Sequence, residues 1–197
     1  MDNLICHMIK ERIYSSIEVK QKLASDEKLI AVIQACADAI IATYRAGGKV
    51  IFCGNGGSAA DAQHLAAELS GRFYFDREPL QAEAAHANTS FLTAVANDYS
   101  YEEAYARYVR SAAKPGDVLV AISTSGNSAN LLKAIDAAKK AGMKTIAMTG
   151  ATGGKMRDMV DFLINIPSID TPRIQESHIL TGHIICELVE EAMFGKS

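Results

Sequence analysis

The sequence lacks the features that mark several large classes of protein. Its four cysteines are scattered without a CxxC pair and stand in apolar surroundings, as small buried hydrophobic residues do, which favours a reducing cytosol. The net charge is −3 with both signs interspersed, and no basic run matches a phosphate backbone. Nucleic acid is therefore not expected as a direct partner.

Membrane and export features are also missing. No apolar run is long enough to span a bilayer, and the first turns carry charged residues instead of an apolar stretch that ends in a cleavage site. We expect a cytoplasmic protein with no membrane partner.

Repeats, low-complexity tracts and Pro/Ser linkers are absent as well, so nothing marks a second domain. With 197 residues, 49% apolar and 22% charged, the chain has the length and composition of one compact globular domain. We expect a single domain over residues 1–197, in which a helical pair in residues 1–47 serves oligomerisation and residues 48–197 form an α/β core.

Two helices are predicted at the start of the chain. Leu4–Leu23 has apolar residues at helical spacing, and Ser25-Asp26 offers a cap before a second apolar stripe that ends at Gly47-Gly48. These apolar faces exceed what a small sheet can cover, so we expect partner subunits.

Short β-rich runs alternate with helical stretches through the rest of the chain. They lie at Lys49–Cys53, Leu80–Ala84, Val118–Ile122, Lys144–Met148 and Phe162–Ile166. This alternation predicts an α/β fold of three layers, with a five-stranded parallel sheet between helices and a closing helix from about Pro172 to Phe194. In the flavodoxin-like strand order 2-1-3-4-5, the turns after the first and third strands flank one crevice.

A hydroxyl-rich turn joins the third predicted strand to a helix. Ser123, Thr124, Ser125 and Ser128 offer hydroxyls there, and the helix N-terminus adds unpaired N–H groups and a partial positive charge. The turn therefore predicts a phosphate cradle. The alternative is a plain capped turn, with Ser128 as the N-cap and Gly126 present for backbone freedom.

Two other glycine turns do not support a nucleotide cofactor. Gly54–Ala59 matches the loose GxGxxA pattern, but no carboxylate stands at the tip of the next strand, near Ala84–His86, where a dinucleotide site needs one. Gly153–Lys155 is followed by Met156, where a P-loop needs Ser or Thr. We expect no nucleotide cofactor.

A candidate metal or acid/base centre lies on two predicted helices. His64 and Glu68 are about 40° apart around the helix axis, the spacing with which a helix presents two ligands to one cation. Gln175 and His183 on the last helix are about 80° apart and can share one side. The alternative is a hydrogen-bonded His–Glu pair without a metal. His178 projects about 140° away from His183 and is interpreted as a surface or packing histidine.

Three further features have both a structural and a functional interpretation. Asn97-Asp98-Tyr99 closes a helical segment and is interpreted first as a turn and second as a contact to substrate hydroxyls. Arg72 either holds phosphate or ends its helix. Four tyrosines are predicted to lie in the core or at an interface: Tyr99, Tyr101, Tyr105 and Tyr108.

Together these segments resemble the SIS (sugar isomerase) domain and, within it, the phosphoheptose isomerases, over nearly the entire chain. The resemblance is carried by the two leading helices and by CGNGGSAADAQHLAAELSGR, NDY, ISTSGNS, TGATGG and RIQESHILTGH. It implies a homotetramer with active sites between subunits. The implied reaction converts sedoheptulose 7-phosphate to D-glycero-D-manno-heptose 7-phosphate for lipopolysaccharide biosynthesis.

The resemblance also implies a role for each residue that matches a family motif. Zinc, one ion per subunit, would be bound by His64, Glu68, Gln175 and His183, and the catalytic residues would be Glu68 and His183. The implied substrate contacts are Asn55, Gly56, Gly57, Ser58, Glu68, Arg72, Asn97, Asp98, Ser123, Thr124, Ser125, Ser128 and Gln175.

Ketose–aldose interconversion moves a proton between two carbons through an enediol, so it needs a base beside carbon and an acid/base group for the two oxygens. Glu68 is the candidate base and His183 the candidate proton shuttle. Whether Glu68 is base, metal ligand or both stays open at this point.

Two positions depart from the family pattern, and one alternative function belongs to the same fold. Pro172 stands where some relatives carry an acid, and Glu83 is a polar residue in a predicted strand. The alternative is a noncatalytic SIS protein that binds a replication-initiator protein. Such proteins tend to lack the acid/base pair, which this sequence retains.

Overall fold

The computed structural model describes residues 2–195, in which seven α-helices alternate with five β-strands. The helices are α1 Asp2–Ser25, α2 Glu27–Arg45, α3 Gly57–Ser70, α4 Thr89–Asp98, α5 Ala104–Ala112, α6 Ala129–Lys140 and α7 Thr171–Phe194. The strands are β1 Val50–Gly54, β2 Ala82–Ala84, β3 Val118–Ile122, β4 Lys144–Thr149 and β5 Phe162–Asn165. Short 3₁₀ turns occupy Tyr101–Glu103 and Gly154–Asp158. Within the described residues, no helix has the length and apolar character needed to cross a membrane.

All five strands pair in parallel, in the spatial order β2-β1-β3-β4-β5. The predicted α/β fold with a parallel sheet in flavodoxin-like order is therefore confirmed. β1 and β3 are buried along their full length, as expected for central strands covered by helices on both faces. The direction in which the chain adds strands reverses between β1 and β3, which makes this junction the topological switch point.

Successive side chains along each strand enter two separate cores. Val50 and Phe52 of β1 face the core that α2, α3 and α7 cover. Ile51 and Cys53 of the same strand face the core that α5 and α6 cover. Because the side-chain period of a strand is two, an apolar residue is needed at every position, and the strands are continuous apolar runs.

The boundaries agree with the sequence-based prediction to within about two residues, and the largest difference among the strands is at the start of the second one. The second strand is Ala82–Ala84, shorter than the predicted Leu80–Ala84. Leu80 instead donates its N–H to the carbonyl of Leu69 at 3.1 Å, at the end of α3, so it cannot join the sheet there.

The structure also corrects the description of one cysteine and explains one polar strand residue. Cys6 is exposed on α1, whereas Cys36, Cys53 and Cys186 are buried as predicted. Glu83 in β2 accepts a hydrogen bond from the Tyr108 hydroxyl and lies 3.6 Å from Lys49 Nζ, so its charge is paired at the sheet edge.

α3 and α7 pack against each other at two glycines. A Cβ added to Gly182 would stand 2.5 Å from Leu65 Cδ1, and one added to Gly57 would stand 2.6 Å from Gln175 Nε2. Gly57 precedes Leu65 on α3, and Gln175 precedes Gly182 on α7, so the two helices run in the same direction.

The buried carboxylate of Glu190, in the later part of α7, binds the segment that follows α3. Glu190 is 1% exposed and accepts hydrogen bonds from the backbone N–H groups of Phe73, Tyr74 and Phe75, at 2.6 to 3.0 Å. Arg77 Nε donates a fourth bond at 2.8 Å. Each lone pair of this buried charge therefore has a partner, which a buried ion pair requires.

Arg77 extends the same network to the end of α3. Its guanidinium donates to the carbonyls of Glu68, Leu69 and Gly71, at 2.8 to 3.0 Å. These are carbonyls that a helix C-terminus leaves without partners inside the helix. The pair of Arg77 and Glu190 thus holds α3 and α7 together beyond the glycine contacts.

We predict that Glu190→Gln lowers the free energy of unfolding at pH 7 by about 3–5 kcal/mol, because it leaves the Arg77 charge buried without its partner. Burial raises the pKa of Glu190, but the three backbone N–H groups and Arg77 outweigh it, and the net pKa is lowered. The carboxylate therefore stabilises the fold above its unfolded pKa of about 4.3, and this contribution is lost as pH falls through the lower folded value.

Urea unfolding of wild type, Glu190→Gln and the neighbouring exposed control Glu191→Gln at pH 7 and at pH 3.5 measures this difference. The gap between wild type and Glu190→Gln should narrow at the lower pH, and the control should stay within about 0.5 kcal/mol. An equal gap at both pH values would contradict the role given to the charge.

Candidate active site

The candidate site lies at the carboxyl ends of β1 and β3, the adjacent strands at the switch point. The turn after β1 contributes Asn55, and the turn after β3 leads into α6, whose second residue is Asn130. The two side-chain amides exchange hydrogen bonds in both directions, each 2.9 Å long. The turn after β1 is therefore in direct contact with the first turn of α6, which follows the turn after β3.

Three serine hydroxyls converge in the turn between β3 and α6. Ser123 Oγ lies 3.2 Å from Ser128 Oγ and 3.5 Å from Ser125 Oγ. Ser128 occupies the N-cap position of α6, but its side chain makes no capping bond. Ser128 therefore stands where the alternative of a capped turn places it, but its hydroxyl contacts that of Ser123 instead of a backbone N–H.

The turn after β4 shapes this hydroxyl-rich loop. Gly126 has a φ of +65°, and an added Cβ would overlap the carbonyl of Gly153. Asn127 Oδ1 accepts the N–H of Lys155 at 3.0 Å, and the carbonyl of Thr124 accepts the N–H of Gly150 at 3.0 Å. Glycine at 126 is thus required for both backbone conformation and close approach.

A cavity of about 290 Å³ opens beside the loop. Its polar lining includes Thr124, Ser125, Asn127, Thr152, Ser168 and Thr171. The loop therefore presents hydroxyl and amide groups to a space large enough for a small anionic ligand.

α3 and α7 bring two histidines and a carboxylate together. His64 Nε2 lies 2.8 Å from Glu68 Oε1, and His183 Nε2 lies 3.4 Å from His64 Nε2. One ligand atom of each residue lies within 4.8 Å of the others, the only such group of three found in residues 2–195. Two imidazoles and a carboxylate form a donor set that suits zinc and leaves a position open for substrate.

The environment of His183 favours its neutral form. Burial lowers the pKa of His183, the neighbouring His64 lowers it further, and Glu68 opposes the shift. A neutral imidazole has one nitrogen that donates and one that accepts. His183 is therefore suited to passing a proton between two oxygen atoms near pH 7, and also to binding a metal.

Gln175 does not lie with these three residues in the same chain. Its amide group packs on Gly57 at the start of α3, whereas Glu68 is near the end of that helix. The helical rise separates Gly57 from His64 by about 10 Å along the axis. The chain thus places Gln175 beside the turn formed by Asn55 and Gly56, within the candidate substrate region.

The side chains of the remaining predicted substrate contacts make no hydrogen bond to the crevice turns among the described residues. Ser58 is buried at the start of α3, and Gly56 before it has a φ of +55°. Arg72 and the Asn97-Asp98 pair are exposed, and the hydrogen bonds found for them among residues 2–195 are local. The structure places Asn97-Asp98 at the C-terminal end of α4, as the prediction of a closing segment requires.

Three residues contact the crevice turns in a way that was not predicted from the sequence. Asn130 is 3% exposed, and an amide buried in an apolar helix needs a partner, which was the available signal. The Tyr105 hydroxyl donates to the Gly54 carbonyl, and the Tyr101 hydroxyl donates to Asn55 Oδ1 at 2.9 Å. Tyr105 is a core residue as predicted, but the crevice function of both hydroxyls was not predicted.

His178 is a packing residue and not a surface one. It is fully buried, and its Nε2 lies 3.1 Å from the Thr149 carbonyl at the end of β4. Burial lowers the pKa of His178 to about 4, with the Thr149 bond opposing the shift, so the ring is neutral at pH 7.

The chain is similar to known proteins of one family. The family model for the SIS domain matches residues 16–150. The phosphoheptose isomerase of Mycobacterium tuberculosis is 55% identical over 185 residues, which cover 94% of each chain. The phosphoheptose isomerase of Aneurinibacillus thermoaerophilus is 51% identical over 186 residues, again 94% of each chain.

A solved structure agrees with these sequence relatives. The phosphoheptose isomerase of Neisseria gonorrhoeae superposes with a TM-score of 0.90 at 40% identity, covering 95% of this chain and 99% of the other. The family model, the sequence relatives and the solved structure agree, and the chain belongs to the SIS domain family and, within it, to the phosphoheptose isomerases.

Proposed function

We propose that the protein is an aldose–ketose isomerase that converts sedoheptulose 7-phosphate to D-glycero-D-manno-heptose 7-phosphate in the cytoplasm, in the heptose biosynthesis that serves lipopolysaccharide. Relatives named phosphoheptose isomerase over nearly the full length support the substrate class. The convergence of His64, Glu68 and His183 on one point between α3 and α7 is the observation that carries the proposal.

The hydroxyl-rich loop and the group of His64, Glu68 and His183 are separated by a distance that suits a long sugar phosphate as substrate. The hydroxyl-rich loop would bind the phosphate, as the N-terminus of α6 favours an anion. His64 lies about 10 Å along α3 from the turn after β1, which contacts the start of α6, and an extended seven-carbon chain can cover this span. Ser58, Gln175 and the Asn55–Gly57 turn would contact the sugar between the ends, and Arg72 and Asn97-Asp98 would close over it.

Glu68 and His183 would carry the proton transfers. Glu68 would remove a proton from C1 of the ketose, while His183 donates a proton to the carbonyl oxygen on C2, giving an enediol. Glu68 would then return a proton to C2, and His183 would accept the proton of the C1 hydroxyl, giving the aldehyde. Each group ends in its starting protonation state, so no further reactant is needed.

The donor set fits zinc, and we propose one ion per subunit, which His64, Glu68 and His183 would hold. Glu68 would then act as the base through its carboxylate oxygen that the ion leaves free, and His183 would transfer protons through its other ring nitrogen. When bound, such an ion would polarise the substrate carbonyl and stabilise negative charge on its oxygen. Gln175, the fourth ligand implied by the family resemblance, packs on Gly57 in its own chain, so this ligand role would need a contribution from a neighbouring subunit.

Glu68→Gln should lower kcat by at least about 100-fold with a small change in KM, because the amide cannot remove a proton from carbon. Turnover of sedoheptulose 7-phosphate is followed by NMR, and the zinc content of each variant is measured by elemental analysis. Glu27→Gln, an exposed carboxylate at the start of α2, is the matched control and should match wild type.

Full turnover by Glu68→Gln with zinc still bound would remove Glu68 as the base. No turnover by the wild-type protein, with or without added zinc, would refute the isomerase and favour a binding-only SIS protein.

The phosphate cradle gives a second prediction. Replacing Ser123 and Ser125 together by alanine should lower kcat/KM by about 10-fold or more, mainly through KM, because two donors to the remote phosphate are lost. Ser111→Ala, which removes a hydroxyl that donates to the Tyr108 carbonyl within its own helix turn, is the control. Unchanged kcat/KM in the double variant would refute the cradle.

We propose further that α1 and α2 assemble the chain into a homotetramer with active sites between subunits. Ile5, Ile9, Ile13 and Ile17 recur every fourth residue on α1 and are 42% to 56% exposed. Residues four apart form one row along a helix, so the row is an apolar stripe that a second copy of the chain can bury.

Ile9→Glu combined with Ile13→Glu should shift the protein from tetramer toward smaller species in sedimentation velocity at micromolar concentration, because charges would enter the buried stripe. Lys10→Glu, also exposed on α1 but outside the row, should remain tetrameric. A monomeric wild-type protein under these conditions would contradict the assembly.

A further inference from the structure

The side-chain amide of Asn55 is held by three hydrogen bonds. Its Oδ1 accepts from Asn130 Nδ2 and from the Tyr101 hydroxyl, both at 2.9 Å. Its Nδ2 donates to Asn130 Oδ1, also at 2.9 Å. Both acceptor positions of the amide oxygen are occupied, whereas one hydrogen of Nδ2 has no acceptor among residues 2–195.

Asn130 is itself fixed in position. It is 3% exposed, and its Oδ1 also accepts the N–H of Leu131 at 3.0 Å, so its oxygen too is fully used. Asn130 follows the hydroxyl-rich loop by two residues beyond Ser128. The amide pair therefore sets the position of the turn after β1 relative to the proposed phosphate cradle.

The ring of Tyr101 packs against Tyr105, which is itself fixed in position. Its hydroxyl lies 3.5 Å from that of Tyr105, and the two rings meet edge to face with centroids 6.2 Å apart. Tyr105 is 1% exposed and donates to the Gly54 carbonyl, one residue before Asn55. The packing on Tyr105 thus fixes the position from which the Tyr101 hydroxyl donates to Asn55.

We propose that Asn130 and Tyr101 are positioning residues that lock the Asn55 amide in one orientation, so that Asn55 acts toward the substrate only as a hydrogen-bond donor. The inference rests on the proposed function, in which Asn55 contacts the sugar. A donor-only amide selects an oxygen acceptor, such as a hydroxyl or carbonyl oxygen. Without Asn130 and Tyr101, the Asn55 amide can rotate by 180° and present its own oxygen to the oxygen-rich substrate. This would weaken substrate binding.

A double-mutant cycle tests the coupling directly. Tyr101→Phe removes one hydroxyl from a half-exposed ring and should lower kcat/KM for sedoheptulose 7-phosphate by about three- to tenfold, mainly through KM. In the Asn55→Ala background the same change should have less than a twofold effect, because the group that Tyr101 positions is gone. Asn130→Ala should behave in the same way, with a larger loss in the wild-type background.

Tyr108→Phe is the matched control, since it also removes a hydroxyl hydrogen bond, to Glu83 away from the crevice, and should leave kcat/KM within twofold. The midpoint of thermal unfolding of Tyr101→Phe should equal that of wild type. No effect of Tyr101→Phe, or an equal effect in both backgrounds, would overturn the inference while the isomerase activity stands. Absence of turnover by the wild-type protein would overturn the proposed function and this inference with it.

Discussion

The close parallel packing of α3 on α7 is the constraint on which the site depends. Gly182 lets Leu65 approach the backbone of α7, and the neighbouring residues His183 and His64 then stand 3.4 Å apart. A larger side chain at position 182 would push the helices apart in a densely packed interior that has little room to adjust. Arg77 and Glu190 hold the same two helices beyond this point, and Arg77 also binds the carbonyl of Glu68.

The sheet supplies the second half of the arrangement. Parallel strands end at one edge, and the reversal of strand order leaves room there between the turns after β1 and β3. One turn begins α3 and the other begins α6, so helix N-termini and hydroxyls gather at the end where we propose that the phosphate binds. The helices α3 and α7 carry the titratable residues away from that end, which would separate the proposed phosphate binding from the proposed proton transfer.

The sequence predicted the features that follow from local periodicity and composition. β3 is found at Val118–Ile122 as predicted, because a buried strand between two helix layers is a continuous apolar run with clear limits. The i,i+4 spacing of His64 and Glu68 sufficed to predict their pairing. The serine loop was recognisable because strand, hydroxyl-rich turn and helix follow one another directly.

Other features depend on contacts between distant segments and could not be derived from spacing. Gln175 and His183 share one side of α7, but their separation along the helix places Gln175 on Gly57 and away from His64. Tyr101 and Asn130 meet Asn55 only after the turns are brought together by the sheet. His178 was predicted on the surface or in packing, and only the burial of α7 against β4 decides between the two.

Proton exchange with solvent during turnover tests the central claim most directly. The side chain of Glu68 is 23% exposed, so a proton it removes from C1 can exchange with water before it returns to C2. When sedoheptulose 7-phosphate is converted in heavy water, NMR of the heptose 7-phosphate product should show deuterium at C2. A product that carries only the original hydrogen at C2 would contradict proton abstraction through an enediol at this site.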